Sequence, residues 1–179
     1  TPLVEKAAYA LPFVMGHEFS GEIIEVGEDV VGFQIGDHVA AETHIPCGYC
    51  ETCRGGHQHI CGNHMGVLGR TVDGCFAEYI KLHQKALIKL PENTTYEQRA
   101  IFEPFATAVH AVAKASPMGK TMLICGTGTI GQMAVQVAKL MGCTKVFAND
   151  ISEEKLERAK QLGADVLING IRENLKEVV

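Results

Sequence analysis

Apolar and polar positions follow two different patterns along this chain, and the pattern changes near residue 100. Up to Leu90, short β-rich runs separated by glycine and proline predict strands; they include GEIIEVG (21–27), HVAAE (38–42) and CFAEYIKL (75–82). Beyond Glu103, amphipathic helical segments alternate with apolar runs such as TMLIC, KVFAND and DVLIN. The first half is therefore predicted to be a β barrel or sandwich, and the second a βαβαβ unit with a parallel sheet.

The composition narrows the possible functions. A chain of 179 residues with 46% hydrophobic content can bury the core of one or two domains. Its apolar runs are shorter than the roughly 18 residues of a membrane-spanning helix, and its first residues lack a signal-peptide pattern, so we expect a cytoplasmic protein without a membrane partner. The net charge is -5 and the basic residues are scattered, so we expect a small-molecule partner rather than a nucleic acid.

A glycine-rich segment, GTGTIG at 126–131, lies directly after the strand-like TMLIC and directly before an amphipathic helical segment. This context predicts a dinucleotide-binding loop whose N–H groups face a pyrophosphate. Asp150 follows about 20 residues on, where a carboxylate binds the ribose hydroxyls and favours NAD over NADP. Lys155 is a second candidate for the ribose, although a solvated lysine is the commoner case. The predicted cofactor-binding residues are Gly126, Gly128, Ile130, Gly131, Asp150 and Lys155.

Four of the seven cysteines fall within one short segment, as Cys47, Cys50, Cys53 and Cys61. In a reducing compartment such a cluster favours metal thiolates over disulfides. The spacing C-x2-C-x2-C-x7-C lets one loop place four sulfurs around a tetrahedral ion, whereas a ferredoxin run needs its fourth cysteine three residues on, followed by proline. Because four protein sulfurs leave no position for water or substrate, we predict a structural Zn²⁺.

A second metal site is suggested by His17 and Glu18 in the sequence GHEFSG. On a regular strand these two neighbours point to opposite faces, so both can bind one ion only where the backbone bends. Taken alone, the pair is better explained as two surface side chains.

Several motifs occur together in a fixed order: PFVMGHEFSGEIIEVGEDVVGFQIGDHVA, the four-cysteine segment, GCFAEY, GTGTIG and then Asp150. In this order and at these separations they resemble the zinc-dependent medium-chain alcohol dehydrogenases, over residues 12–169. Within that family, ETHIPCGYCETCRGGHQHICGN and IFEPFATAVHAV are most similar to the branch that oxidises L-threonine. Polyol and butanediol dehydrogenases share most of these motifs, so the substrate is less firmly indicated than the family.

The resemblance implies an α/β plus β fold. A GroES-like β-barrel catalytic domain would occupy residues 1–105, with its N-terminal part missing, and the first βαβαβ half of a Rossmann-type NAD-binding domain would occupy residues 106–179. It also implies a catalytic zinc in the cleft between the domains, NAD as hydride acceptor and a homotetramer for the full-length protein. The implied reaction converts L-threonine to L-2-amino-3-oxobutanoate by hydride transfer from the 3-hydroxyl carbon to NAD.

The same resemblance implies roles for individual residues. His17 is a zinc ligand, and Glu18 a ligand or near-ligand. Glu103 matches an acidic position near the zinc that serves in proton relay, and His44 lies where a second relay group would be. Without the resemblance, a glutamate just before Pro104 is equally well explained as a favourable charge at a helix N-terminus.

Two parts of the family pattern have no counterpart in this sequence. Residues 1–15 contain neither the family's upstream cysteine ligand nor its relay serine or threonine and histidine, and only three of six expected strands follow Lys120. We therefore expect a fragment that associates with other copies and does not turn over threonine alone. Two alternatives stay open: a polyol or 2,3-butanediol dehydrogenase, and a non-catalytic zinc-binding interaction module.

Overall fold

The computed structural model describes residues 12–179, which separate into two compact units between Glu103 and Pro104. None of the helices in this described part is long and apolar enough to cross a membrane. The segment 1–11, which belongs to the stretch without a counterpart of the upstream ligands, lies outside the described residues.

Short strands and single helical turns make up the first unit. Its strands are β1 (Gly21–Glu22), β2 (His38–Ala41), β3 (His44–Ile45), β4 (Gly66–Val67) and β5 (Leu87–Lys89). Its helices are α1 (Glu51–Arg54), α2 (Tyr96–Ala100) and two 3₁₀ turns, Gln58–Ile60 and Gln84–Ala86. The order β1-β2-β5 forms an antiparallel sheet, and β3 pairs antiparallel with β4.

The centre of the first unit lies on β2, which has a neighbouring strand on each side. Val39, Ala40 and Ala41 are all buried, and because successive side chains point to opposite faces, both faces of β2 are covered. Leu68 and Ala86 are also fully buried and add to this small core.

The strands of this unit are shorter than the sequence pattern predicts. In the run at 21–27 only the first two residues form β1, and the run at 75–82, all of it described, contains no strand. Strand formation is stabilised when one face is buried. Here the apolar side chains that would make that face are uncovered: Ile24 is 58% exposed, Phe76 74% and Tyr79 73%.

The second unit follows the predicted βαβαβ pattern. It contains α3 (Phe102–Lys114, whose first two residues lie before the division), β6 (Thr121–Cys125), α4 (Thr129–Leu140), β7 (Lys145–Asp150), α5 (Glu153–Gln161), β8 (Val166–Asn169) and α6 (Leu175–Val178). The three strands are parallel in the order β6-β7-β8. This unit confirms the predicted parallel sheet.

Helices α4 and α5 contact this sheet through their apolar faces. The central strand β7 is buried at Val146 and Ala148, and it meets fully or nearly fully buried residues of the helices, such as Val135 and Leu156. Ser152 caps α5 by accepting a hydrogen bond from the Lys155 N–H, which fixes where that helix begins. β7 ends at Asp150 and β8 at Asn169, so the end of the sheet at which these two strands finish is polar.

Asp165 joins the beginning of β7 to α4. Its Oδ2 accepts a hydrogen bond from the Val146 N–H at 2.7 Å and forms an ion pair with the Lys139 ammonium at 3.0 Å. The Val146 N–H first, and Lys139 second, hold the pKa of Asp165 below its usual value.

We expect Asp165→Asn to lower the free energy of unfolding at pH 7, because an amide cannot form the ion pair. A carboxyl group whose pKa is lowered by folding stabilises the protein above its unfolded-state pKa of about 3.9, and this contribution is lost as pH falls through the folded-state pKa. The difference between wild type and variant should therefore be constant near neutrality and shrink below about pH 4. Urea unfolding at several pH values measures it. A difference that does not change with pH, or an equal effect from Asp29→Asn at an exposed aspartate, would contradict this account.

Candidate metal and dinucleotide sites

The four cysteine sulfurs of the cysteine lobe, defined as residues 47–61, converge. Sγ of Cys47 lies 3.8 Å from that of Cys53 and 3.6 Å from that of Cys61, and Cys50 Sγ lies 3.8 Å from Cys61 Sγ. All four lie within 4.8 Å of one another. A tetrahedral zinc ion with Zn–S bonds of about 2.3 Å separates its ligands by about 3.8 Å. The spacing of the sulfurs therefore fits zinc.

The protonation chemistry of the lobe is also consistent with a bound cation. Although desolvation raises the pKa of Cys47, the N–H groups of Tyr49 and Cys50 outweigh it and lower this pKa to about 6. Burial raises the pKa of Cys53 to about 12. A buried thiol of this kind stays protonated at neutral pH unless a bound cation compensates the thiolate charge. Four thiolates in this cluster would therefore need a bound metal ion to balance their charge.

Helix α1 and a lysine shape the lobe. Cys50 is the N-cap of α1 and its sulfur accepts a hydrogen bond from the Cys53 N–H, while Cys47 Sγ accepts one from the Cys50 N–H. The Lys85 ammonium donates to the Cys47 carbonyl at 2.6 Å. The two N–H bonds orient two of the four sulfurs, those of Cys47 and Cys50, before any ion binds.

His17 and Glu18 lie in an irregular segment before β1. Gly16 has φ +93°, which turns the chain directly before His17 and supplies the bend that two adjacent ligands need. The N–H groups of Gly74, Cys75 and Phe76 donate to the carbonyls of residues 14, 16 and 15, respectively. A Cβ at Gly74 would lie 2.1 Å from the Gly16 carbonyl oxygen, so this close backbone approach requires glycine.

Glu103, in the first turn of α3, meets this segment. One ligand atom each from His17, Glu18 and Glu103 lies within 4.8 Å of the other two, and we call these residues the histidine–glutamate group. Glu103 Oε1 accepts a hydrogen bond from the Thr43 hydroxyl at 3.0 Å. One imidazole and two carboxylates suit zinc, and three protein ligands leave a fourth position for water or substrate.

His44 lies outside this group. Its Nδ1 is 3.9 Å from Glu42 Oε1, and its ring stands edge-on to that of His64 at 6.0 Å between centroids. Successive side chains in an extended segment point in opposite directions, so Thr43 meets Glu103 while His44 meets other partners. The relay role of His44 stays a prediction.

The glycine loop, residues 126–131, joins β6 to α4. Gly126 has φ +88°, and Gly128 is the N-cap of α4. A Cβ at either glycine would meet no described atom within 4 Å, so there is open space beside the loop for a ligand. A Cβ at Gly131 would lie 1.9 Å from the Gly126 carbonyl oxygen, so the loop can fold back onto α4 only with glycine there. This geometry fits a pyrophosphate at the helix N-terminus.

Asp150 ends β7 beside this loop. Its Oδ2 accepts hydrogen bonds from the N–H (2.7 Å) and the hydroxyl (3.2 Å) of Thr127, and its Oδ1 accepts one from the Ser152 N–H (3.0 Å). The N–H groups of Ser152 and Thr127 hold the pKa of Asp150 below its usual value. The group is therefore a carboxylate at neutral pH, as binding of ribose hydroxyls requires.

The other two predicted cofactor residues are placed on helices. Ile130 is in the first turn of α4 and partly exposed, and Lys155 is in the first turn of α5, where its N–H is bonded to Ser152. Two hydroxyl residues of these sites, Thr43 and Thr127, were not predicted from the sequence. The only signal for them was their position, beside His44 in one case and between two motif glycines in the other.

We expect the purified chain to retain one tightly bound zinc ion, and Cys50→Ser to lose it, because a serine oxygen is a poor replacement for a thiolate in a four-sulfur site. Elemental analysis after dialysis measures the ratio of zinc to protein. Cys125→Ser, the same change at an exposed cysteine, is the control and should keep its zinc. Iron and sulfide in the purified protein, or full zinc in Cys50→Ser, would show that this assignment is wrong.

Known proteins similar to this chain share both halves of it. The chain is 43% identical over 169 residues to L-threonine 3-dehydrogenase of Escherichia coli (strain K12), and the match covers 94% of this chain and 49% of the relative. The crystal structure of galactitol-1-phosphate dehydrogenase from Escherichia coli superposes with a TM-score of 0.88 at 37% identity, covering 97% of this chain and 50% of that one. A protein described as a zinc-binding dehydrogenase, from Sinorhizobium meliloti 1021 and bound to NADP, superposes with a TM-score of 0.86 at 30% identity, covering 95% and 50%. The chain thus spans about half the length of the relatives it matches.

Two family models match in the same order as the sequence motifs. Residues 3–92 match the alcohol dehydrogenase GroES-like domain, and residues 129–179 match the zinc-binding dehydrogenase family. These matches confirm the predicted α/β plus β fold class. The cysteine lobe and the glycine loop fit the zinc and NAD(P) cofactors of such dehydrogenases. This chain belongs to the zinc-dependent medium-chain alcohol dehydrogenase family.

Proposed function

We propose that this chain supplies the zinc sites and the adenosine-binding half of an oxidoreductase that oxidises L-threonine with NAD to L-2-amino-3-oxobutanoate. In this proposal residues 1–105 belong to the catalytic domain and residues 106–179 to the NAD-binding domain. The observation that carries this proposal is the convergence of His17, Glu18 and Glu103. The same chain has a glycine loop that is hydrogen-bonded to Asp150. The choice of L-threonine rests on the 43% identity to L-threonine 3-dehydrogenase.

Within the histidine–glutamate group, His17 and Glu18 would hold the catalytic zinc, and Glu103 would lie beside it as a proton acceptor. When bound, the zinc supplies Lewis acidity that lowers the pKa of the substrate hydroxyl, and NAD accepts the hydride. The half-buried His17 contributes a neutral nitrogen ligand, while the exposed Glu18 adds negative charge. Both residues are fixed by the turn at Gly16, so the orientation of the ligands does not have to be created when substrate binds.

Glu103 would receive the proton that leaves the substrate hydroxyl. Its Oε1 is already bonded to the Thr43 hydroxyl, so Oε2 is the atom with more remaining acceptor capacity. A carboxylate held by a hydrogen bond is oriented for proton transfer. His44 is kept in this proposal as the second relay residue because the family resemblance implies it; its side chain is partly exposed beside Glu42.

The cysteine lobe would hold a structural zinc. Its four sulfurs provide a closed set of ligands, so the ion contributes to folding rather than to the reaction. The Lys85 bond to the Cys47 carbonyl connects this folded lobe to the residues before β5. Loss of the ion should therefore affect stability before it affects cofactor binding.

A second candidate substrate is a polyol. It is favoured by the structural match to galactitol-1-phosphate dehydrogenase, with a TM-score of 0.88. Both candidates share a secondary alcohol, so the zinc and NAD chemistry is the same for each. They differ in the charges that the enzyme must accommodate, since L-threonine carries an ammonium and a carboxylate. For the full-length protein we propose a cytoplasmic homotetramer.

We expect the preference for NAD over NADP to depend on Asp150. The carboxylate accepts hydrogen bonds from ribose hydroxyls and repels a 2′-phosphate, so Asp150→Ala should weaken NAD binding and narrow the difference between the two cofactors. Titration calorimetry with both nucleotides measures it on the chain joined to the segments that complete L-threonine 3-dehydrogenase of Escherichia coli. Asp29→Ala is the control. Equal affinities of the unmutated protein for NAD and NADP would refute this role of Asp150.

In the same completed protein we expect NADH formation with L-threonine to exceed that with sorbitol, 2,3-butanediol or galactitol 1-phosphate. Glu103→Gln should lower kcat by a factor of about 10² to 10⁴, because an amide cannot accept the substrate proton. Glu22→Gln, at an exposed glutamate of β1, should leave kcat unchanged. A higher kcat/KM for a polyol than for L-threonine would favour the second candidate substrate, and an unaffected Glu103→Gln would remove Glu103 from the relay.

A further inference from the structure

Thr127, the residue between the first two motif glycines, is fully buried. Its N–H and its hydroxyl both donate to Asp150 Oδ2, at 2.7 and 3.2 Å. The two residues are 23 positions apart in the chain and belong to different functional elements, the glycine loop and the end of β7. Nothing in the glycine motif itself requires a hydroxyl at this position.

The two oxygens of Asp150 are used differently. Oδ2 accepts two hydrogen bonds from Thr127, which occupies both of its lone pairs. Oδ1 accepts one hydrogen bond, from the Ser152 N–H, and keeps acceptor capacity for a ribose hydroxyl. Together these contacts fix the rotation of the carboxylate, because turning it would leave the buried donors of Thr127 without an acceptor.

Gln132 strengthens the same connection from the helix side. Its side-chain amide donates to the Thr127 carbonyl at 3.0 Å, and it is in the first turn of α4. Thr127 is therefore bonded through its N–H, its hydroxyl and its carbonyl, to β7 on one side and to α4 on the other. The loop that approaches the pyrophosphate and the carboxylate that binds the ribose are joined through this one residue.

We propose that Thr127 is a positioning residue: its hydroxyl holds Asp150 in the orientation that binds the ribose of NAD, and it thereby contributes to the preference for NAD over NADP. This inference rests on the proposed NAD-binding function. It adds a residue and a mechanism to that function, because the specificity then depends on a contact within the protein as well as on Asp150 itself.

The test compares Thr127→Val, which keeps the shape but removes the hydroxyl, with Thr127→Ser, which keeps the hydroxyl. The hydroxyl bond is long for a bond to a charged group, at 3.2 Å, so we expect its loss in Thr127→Val to raise the Kd for NAD about three- to tenfold. The Kd for NADP should change less, so the NADP-to-NAD ratio of Kd should fall. Thr127→Ser should restore both values to within about twofold of wild type.

The control is Thr144→Val. The Thr144 hydroxyl donates to the Lys120 carbonyl at 2.9 Å, so the same group is removed from the same unit at a site away from the glycine loop. Its NAD and NADP affinities should match wild type. Circular dichroism shows whether Thr127→Val is folded. If it is not, Thr127→Cys takes its place, because a thiol is only a weak donor. The expected result is again a raised Kd for NAD and a lower NADP-to-NAD ratio of Kd.

A second measurement does not need bound nucleotide. Carboxyl ¹³C NMR gives the pKa of Asp150 in the 179-residue chain, which should be below the usual value in wild type and Thr127→Ser and higher in Thr127→Val. An unchanged Asp150 pKa together with an unchanged NADP-to-NAD ratio in Thr127→Val would overturn the role of Thr127 and leave NAD binding intact. If the wild-type protein bound neither nucleotide, the proposed function would fail, and the pKa shift alone would decide whether Thr127 holds Asp150.

Discussion

The histidine–glutamate group depends on one close backbone contact, between residues 14–16 and residues 74–76. Three hydrogen bonds join these segments, and the Gly16 carbonyl comes so near Gly74 that no side chain fits there. The contact holds the turn at Gly16 in place, and the turn directs two neighbouring side chains toward one ion. A methyl group at position 74 would separate the two segments. The site therefore depends on Gly74, a residue whose side chain contributes no ligand atom.

The two candidate metal sites are built in opposite ways. The cysteine lobe takes all four ligands from one short stretch and fixes two of them with local N–H bonds, so it can assemble as soon as that stretch folds. The histidine–glutamate group joins residues 17 and 18 to residue 103, and it exists only when the first unit is folded around the contact between residues 14–16 and 74–76. Stability of the lobe and formation of the proposed catalytic site are therefore separable properties of one unit.

Sequence reasoning was most successful where the pattern is local. The periods of TMLIC, KVFAND and the following helices predict the second unit because each element buries one face on the same small sheet. The cysteine lobe followed from spacing alone. In the first unit the strand predicted at 75–82 was wrong. Strand formation depends on what covers Phe76 and Tyr79, and a linear sequence does not contain that information. The hydroxyls of Thr43 and Thr127 were missed for a related reason, since each gains its role from a partner more than 20 residues away.

The bond between Thr127 and Asp150 also bears on how such a protein can change its cofactor during evolution. A substitution that removes the carboxylate leaves two buried donors of Thr127 without an acceptor, which costs about 1–3 kcal/mol for an unsatisfied buried group. That is a sizeable part of the marginal stability of a domain. The route from NAD to NADP is therefore epistatic: a change at position 150 is tolerated more readily after residue 127 has lost its hydroxyl, and the order in which the two mutations arise matters.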